Sequence, residues 1–214
     1  HQADLSPAEV THLVTVSCTG AETPGPWLGI QQTLGLASGL SRSHIGFMGC
    51  NAAINGLAVA NAFARESPDH VVLMVCVEVC SIHYAVNSDS WDQQVANALF
   101  ADGSAAAVVT RDGPGSRILR FGSHLFPDTS DLMTWRIGSH GFEMHLSPRV
   151  PIMLKRSIDS WLRPWLEAEG FPLDHLDHWA VHPGGRDILE GVRQGLGLSE
   201  AAIRPSLEIL QRYG

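Results

Sequence analysis

Two stretches of this sequence combine residue types and spacing suited to covalent chemistry. The first is "GFMGCNAAING", Gly46 to Gly56, where Cys50 stands after a glycine and before a run of small residues. The pattern there turns from strand to helix. A cysteine in the first turn of a helix faces free backbone N–H groups and the positive end of the helix dipole. Both favour an anion and so predict a lowered thiol pKa. The same N–H groups can hold the oxyanion formed when a thiolate attacks an acyl carbonyl. Gly49 permits close backbone approach to the sulfur. The alternative for Cys50 is a buried core cysteine. The second stretch is "WAVHPGGRD", where His182 ends an apolar run and a glycine turn follows at once. A thiol nucleophile needs an acid/base partner, usually histidine. The end of a strand opening toward a helix is where α/β sheets place functional groups. The alternative for His182 is a structural histidine. Cys18, Cys76 and Cys80 fall on strands or at strand ends.

The elements that must position these groups alternate. Strands are predicted at "HLVTVSC", "HIGFMG", "HVVLMVCVEVC", "SAAAVV", "RILRFGSHLFP" and "DHWAV". The third is a continuous apolar run, expected to be covered on both faces. Helices are predicted at "LGIQQTLGL", "NAAINGLAVANAFARES", "DSWDQQVANALF", from Pro151 to about Gly170 with Pro164 as a kink point, and in the last thirty residues. The second helix has small or apolar residues on nearly every face, which predicts burial all round. The segment "DTSDLMTWRIGSHGFEMHLSP" reads as mostly extended or looped. The whole is an α/β layered pattern. "TRDGPGSRI" is the candidate boundary, dividing the chain into halves at 1–112 and 113–214.

The chain has 214 residues, 44% of them hydrophobic and 17% charged, enough for a substantial core. Its net charge of −8 comes without a basic stripe, which argues against a nucleic-acid partner. No apolar run reaches membrane-spanning length. Four cysteines without a secretory signal predict free thiols in a reducing, cytoplasmic compartment. Cys76 and Cys80 form C-x₃-C without a second Cys/His pair, so no metal site is expected. The chain starts without Met and stops just after a helix, and it reads as an internal piece of something longer.

Five segments occur together in order: "GFMGCNAAINGLAVA", "NALFADGSAAAVV", "GFEMHLSPRVP", "WAVHPGGRDIL" and "LEILQRYG". From about Thr11 to the last residue the chain resembles the type III polyketide synthases, the chalcone synthase-like branch of the thiolase superfamily. "HPGG" after the histidine distinguishes this branch from the ketoacyl synthases that start fatty-acid synthesis. "MGCNAAING" and "LMTWRIG" resemble bacterial members. The resemblance implies a thiolase-like layered αβαβα fold, incomplete here at both ends, and a homodimer. It implies acyl-CoA and malonyl-CoA as substrates, with no metal or redox cofactor.

The resemblance makes Cys50 the nucleophile that takes the acyl starter as a thioester. His182, with an Asn expected just after Gly214, promotes decarboxylation of malonyl-CoA. Phe100 matches the gatekeeper phenylalanine between acyl cavity and coenzyme A tunnel. Met144 falls where plant members carry a second phenylalanine. Cys80 and His83 fall at threonine positions of the cavity, and Trp135 at a glycine position. Cys18 and Thr19 match the loop beside the cavity, and Gly184 and Gly185 belong to the glycine turn after the histidine. Thr23 matches a position that reaches into the dimer partner's cavity. Met144 and Trp135 favour an aliphatic starter. Three other readings fit the same residues: a ketoacyl-synthase-like enzyme making one condensation, a non-catalytic remnant, and a Cys–His hydrolase.

Overall fold

A computed structural model describes residues 5–85, 90–138 and 141–214. The chain forms two compact units, His1–Ile82 with Asp102–Leu119, and His83–Ala101 with Arg120–Gly214.

The first unit is built on a four-stranded sheet. Its strands are β1 (His12–Ser17), β2 (Ser41–Gly46), β3 (Val71–Glu78) and β4 (Gly103–Thr110), in the order β2-β1-β3-β4. β1 is parallel to β2 and β3, and β4 is antiparallel to β3. All six residues of β1 are buried, because helices lie over both of its faces. On one face Leu13 packs with Val10, Leu36 and Leu40, and Trp27 and Ile30 of α1 (Trp27–Leu34) close over them. Gly35, at φ +64, ends α1 by turning its N–H back to Gln31 and Gln32. On the other face lies α2 (Ala52–Glu66). The strand covered on both faces is therefore β1. In β3 only Val72 and Met74 are buried and the rest is half-buried, which corrects the expectation for that run.

α2 also departs from expectation. Its buried residues are Ala52, Gly56, Ala60 and Ala64, one stripe at a four-residue interval, and Ile54 is 52% exposed. Small residues at that spacing let the helix lie close on the sheet. On the other faces of α2 the apolar residues are half-buried, as Leu57, Val59 and Phe63 are, or exposed, as Ile54 is.

The second unit holds α3 (Trp91–Leu99), the antiparallel hairpin β5 (Met133–Gly138) and β6 (Gly141–Leu146), α4 (Arg149–Ala168), α5 (Arg186–Leu196) and α6 (Glu200–Tyr213). Its core is Leu166, Leu173, Leu189, Val192, Leu196, Leu198 and Ile203. α4 continues through Pro164 as one helix.

Two predicted strands are absent. Among the described residues the segment "RILRFGSHLFP" has no strand partner. It runs extended along α4 instead. Arg120 pairs with Glu169 at 2.5 Å, Gly122 lies against the Trp165 ring, and His124 stacks on Trp161 at 5.5 Å. A two-residue period on the segment thus meets a four-residue period on the helix, in opposite directions. The alternate residues Leu119, Phe121 and Leu125 stay exposed. Residues 177–181 likewise form no ladder with any described residue, and the N–H of Val181 donates to the Ser206 hydroxyl at 3.0 Å. In both places the sequence has strand composition, but a strand exists only where a neighbour accepts its hydrogen bonds.

Candidate active site

Cys50 sits where β2 gives way to α2. The strand ends at Gly46, and Phe47 (φ +56) and Gly49 (φ +77) turn the chain out of the sheet. The N–H of Ala52 donates to Gly49 O at 3.0 Å, and Asn51 is the N-cap. Cys50 therefore precedes the cap rather than lying in the first turn. The expected lowering of its thiol pKa is not found. The residue is exposed as a whole, yet enough protein surrounds the sulfur to push the thiol above its ordinary value. Loss of hydration is the first cause, followed by Cys18 and the carboxylate of Glu78; a backbone hydrogen bond acts the other way.

Glu78 is the residue that the sequence reading passed over. It ends β3 and is half-buried. Its carboxylate accepts from the N–H of Cys18 at 2.9 and 3.1 Å and from the N–H of Thr19 at 2.9 Å. The Thr19 hydroxyl also donates to it, and the same hydroxyl accepts from the N–H of Val79 at 2.7 Å. The Cys18 thiol faces Gly49 O at 3.8 Å. Glu78 thus ties the loop after β1 to the end of β3, beside the turn that carries Cys50. Its one sequence signal is a lone charge inside "VVLMVCVEVC". Cys80 opens a short 3₁₀ turn (Cys80–His83) just past β3. Its thiol is pushed up to about 11 by burial, then by Glu78 and Asp102. Burial and Glu78 also raise Cys76. All four cysteines are free.

His182 belongs to the second unit. Desolvation lowers its pKa, so the imidazole is held neutral. A Cβ on Gly184 would stand 3.4 Å from the His182 ring, in ordinary contact with its flank. Gly185, at φ +141, is the N-cap of α5, and a Cβ there would stand 3.8 Å from Leu99. The residue after Leu99 is Phe100, the C-cap of α3, whose N–H donates to Ala96 O at 2.9 Å. The loop carrying His182 and the segment carrying Phe100 therefore come together.

The hairpin assembles the remaining residues. Trp135 lies opposite Met144 in the ladder. His83 meets Trp135 edge-on at 5.2 Å and Phe142 at 4.9 Å, and the two aromatic rings lie 4.8 Å apart. Strand alternation puts Met133, Trp135 and Ile137 on one face with Phe142, Met144 and Leu146. Phe142 was not singled out from sequence; its two-residue spacing from Met144 was the available signal.

Family profiles match nearly the whole chain. Residues 5–113 match "Chalcone and stilbene synthases, N-terminal domain", and residues 119–214 match the C-terminal domain of the same family. The chain belongs to the chalcone and stilbene synthase family. Among its relatives in that family is the 3,5-dihydroxyphenylacetyl-CoA synthase of Amycolatopsis balhimycina, 35% identical over 97% of this chain and 57% of that protein. The alpha-pyrone synthesis polyketide synthase-like Pks18 of Mycobacterium tuberculosis is 33% identical over 97% of the chain and 54% of that protein. Among solved structures, 1,3,6,8-tetrahydroxynaphthalene synthase from Streptomyces coelicolor superposes with a TM-score of 0.91 at 31% identity, covering 99% of this chain and 61% of that one. PKS-I of the brown alga Ectocarpus siliculosus gives 0.92 at 36% identity, over 98% and 57%. The thiolase-like fold of the type III polyketide synthases is therefore the fold of this chain. The chain spans a little over half the length of these relatives. Among the described residues no helix is long and apolar enough to cross a membrane.

Proposed function

We propose that this chain carries the nucleophile and the histidine of a type III polyketide synthase. The enzyme condenses an acyl-CoA starter with malonyl-CoA by decarboxylative Claisen condensation, giving a pyrone, resorcinol or phloroglucinol-type product. The observation that carries this reading is the family match along the whole chain, with Cys50 at a strand-to-helix turn. The names of the relatives, an alpha-pyrone synthase-like protein and synthases of dihydroxyphenylacetyl-CoA and tetrahydroxynaphthalene, support the product class.

At rest the Cys50 thiol and the His182 imidazole are each neutral, the thiol because its pKa is raised and the imidazole because its pKa is lowered. The Cys50 thiol gives up its proton as the sulfur attacks the starter's thioester carbonyl. The carbon–sulfur bond to coenzyme A breaks, and coenzyme A leaves as the thiol with that proton. Malonyl-CoA then loses CO₂. His182 N–H stabilises the enolate oxygen, and the enolate carbon attacks the Cys50 thioester carbonyl. The carbon–sulfur bond to Cys50 then breaks, the lengthened chain stays on coenzyme A, and Cys50 leaves as a thiolate carrying the charge that the malonyl carboxylate brought in. Phe100 gates the acyl cavity, Cys18, Thr19 and Cys80 border it, and His83, Trp135 and Met144 shape it. Gly184 and Gly185 hold the turn beside the histidine. The substrates are coenzyme A thioesters and no metal or redox cofactor takes part. The working protein is a cytoplasmic homodimer whose two halves divide at 112/113.

The test separates the two residues, using the protein expressed from its full natural coding region. Cys50→Ala removes product while leaving malonyl-CoA decarboxylation. His182→Gln lowers decarboxylation by roughly 10²–10³, the effect of losing one oxyanion donor. Equal loss of decarboxylation in both variants refutes this division of roles.

A further inference from the structure

Phe100 lies in Leu99–Ala101, the segment leaving α3. Two glycines of the same unit lie against it, the first loosely and the second tightly. At Gly185, at the start of α5, a Cβ would meet Leu99 at 3.8 Å, an ordinary contact. Gly214 lies against it from the end of α6. Its N–H caps the helix at Leu210 O, 3.1 Å away, and its φ is +81. A Cβ on Gly214 would stand 2.7 Å from the Ala101 Cβ, 3.0 Å from Leu99 O and 3.3 Å from Ala101 N. Two of those three atoms are backbone, so no rotamer change clears them. The start of the segment is held by the bond from Phe100 N–H to Ala96 O. A side chain at 214 must therefore displace Leu99–Ala101, and Phe100 moves with it.

We propose that Gly214 is a positioning residue: its missing side chain seats the Phe100 segment and thereby sets which acyl chains the enzyme accepts. The inference rests on the reading of Phe100 as the gate. It goes beyond that reading by assigning control of the gate to the end of a helix more than a hundred residues away in sequence. A second glycine isolates the effect. Gly197 ends α5 at φ +69 with nothing within 4 Å of its would-be Cβ. Gly197→Ala and Gly214→Ala both force alanine into the left-handed region, but only the second collides with the Phe100 segment.

The experiment uses protein from the full natural coding region and three variants, Gly214→Ala, Gly197→Ala and Phe100→Ala. Amide hydrogen exchange of a peptide covering 96–103 is expected to quicken about tenfold in Gly214→Ala and to stay unchanged in Gly197→Ala. The ratio of kcat/KM for lauroyl-CoA over hexanoyl-CoA is expected to change by about fivefold or more in Gly214→Ala and Phe100→Ala, but not in Gly197→Ala. Where Gly214→Ala yields no folded protein, Ala101→Val presses on the same contact from the other side, with the same shifts expected. Equal exchange in the two glycine variants overturns the proposed seating. Quickened exchange with an unchanged ratio in Gly214→Ala overturns its control of selectivity. An unchanged ratio in Phe100→Ala overturns the gate reading itself.

Discussion

Replacing Glu78 tests the arrangement around Cys50 in two opposite directions. The carboxylate accepts the N–H groups of Cys18 and Thr19, residues only 9% and 2% exposed. In Glu78→Gln one oxygen remains for Cys18, while an NH₂ group turns toward the Thr19 N–H. That leaves one buried donor without an acceptor, at about 1–3 kcal/mol, and removes charge assistance from the bond that stays, about 1 kcal/mol more. The sum, about 2–4 kcal/mol, is a large part of the 5–15 kcal/mol typical of a folded protein. At roughly 2–4 °C per kcal/mol for a chain of this size, melting should fall by about 5–15 °C. Reactivity should move the other way. The Glu78 charge is one cause of the raised Cys50 thiol, so removing it makes that thiol more acidic. Iodoacetamide labelling of Cys50, followed across pH by peptide mass spectrometry, should shift its profile toward acid. General loosening would scale the rate up at every pH without moving the profile. An unmoved profile, or a melting point within about 2 °C of wild type, a change of under 1 kcal/mol, refutes the reasoning.

Two further outcomes follow from the first unit. Leu13 is fully buried at the centre of the sheet, so Leu13→Ala should destabilise by about 2–5 kcal/mol in urea unfolding. His12 is 8% exposed, stacked on Phe63 at 4.8 Å and beside His70 at 4.5 Å, with Glu66 acting on it from α2. Burial, then His70, lowers its pKa, so the unfolded chain takes up the proton first as pH falls. Stability should decline from the ordinary imidazole range downward until the folded-state value is passed, and His12→Phe should flatten that slope between pH 7.5 and 5.5. Parallel melting curves for the two proteins would remove His12 as the cause.

The motifs were legible because local residue types carry them. Cys50 after a glycine, His182 before a glycine pair, and the segments around Phe100 and Met144 each sit in a run whose spacing is set within about fifteen residues. The helices were legible for the same reason, since their hydrogen bonds close within four residues. β1 and β3 were found because apolar, β-branched runs favour strands wherever a partner is present.

What the sequence left undetermined depended on partners distant in the chain. Residues 117–127 and 177–181 have strand composition, yet one lies along α4 and the other gives its Val181 N–H to Ser206. Composition cannot say whether a neighbouring edge exists. The thiol of Cys50 was expected to be acidic from its nearness to a helix start. The tertiary structure reversed that by removing water from the sulfur and then by bringing Cys18 and Glu78 beside it. Desolvation and charge act through space, with no local signature in the residues around Cys50. The same holds for Gly214. In sequence it is a glycine after a helix, and only packing places Leu99 and Ala101 where its side chain would be. The sequence alone therefore singled out the residues proposed to carry the chemistry and most of the local elements that hold them. The tertiary structure decided their protonation and their neighbours, because those depend on atoms brought together from distant parts of the chain.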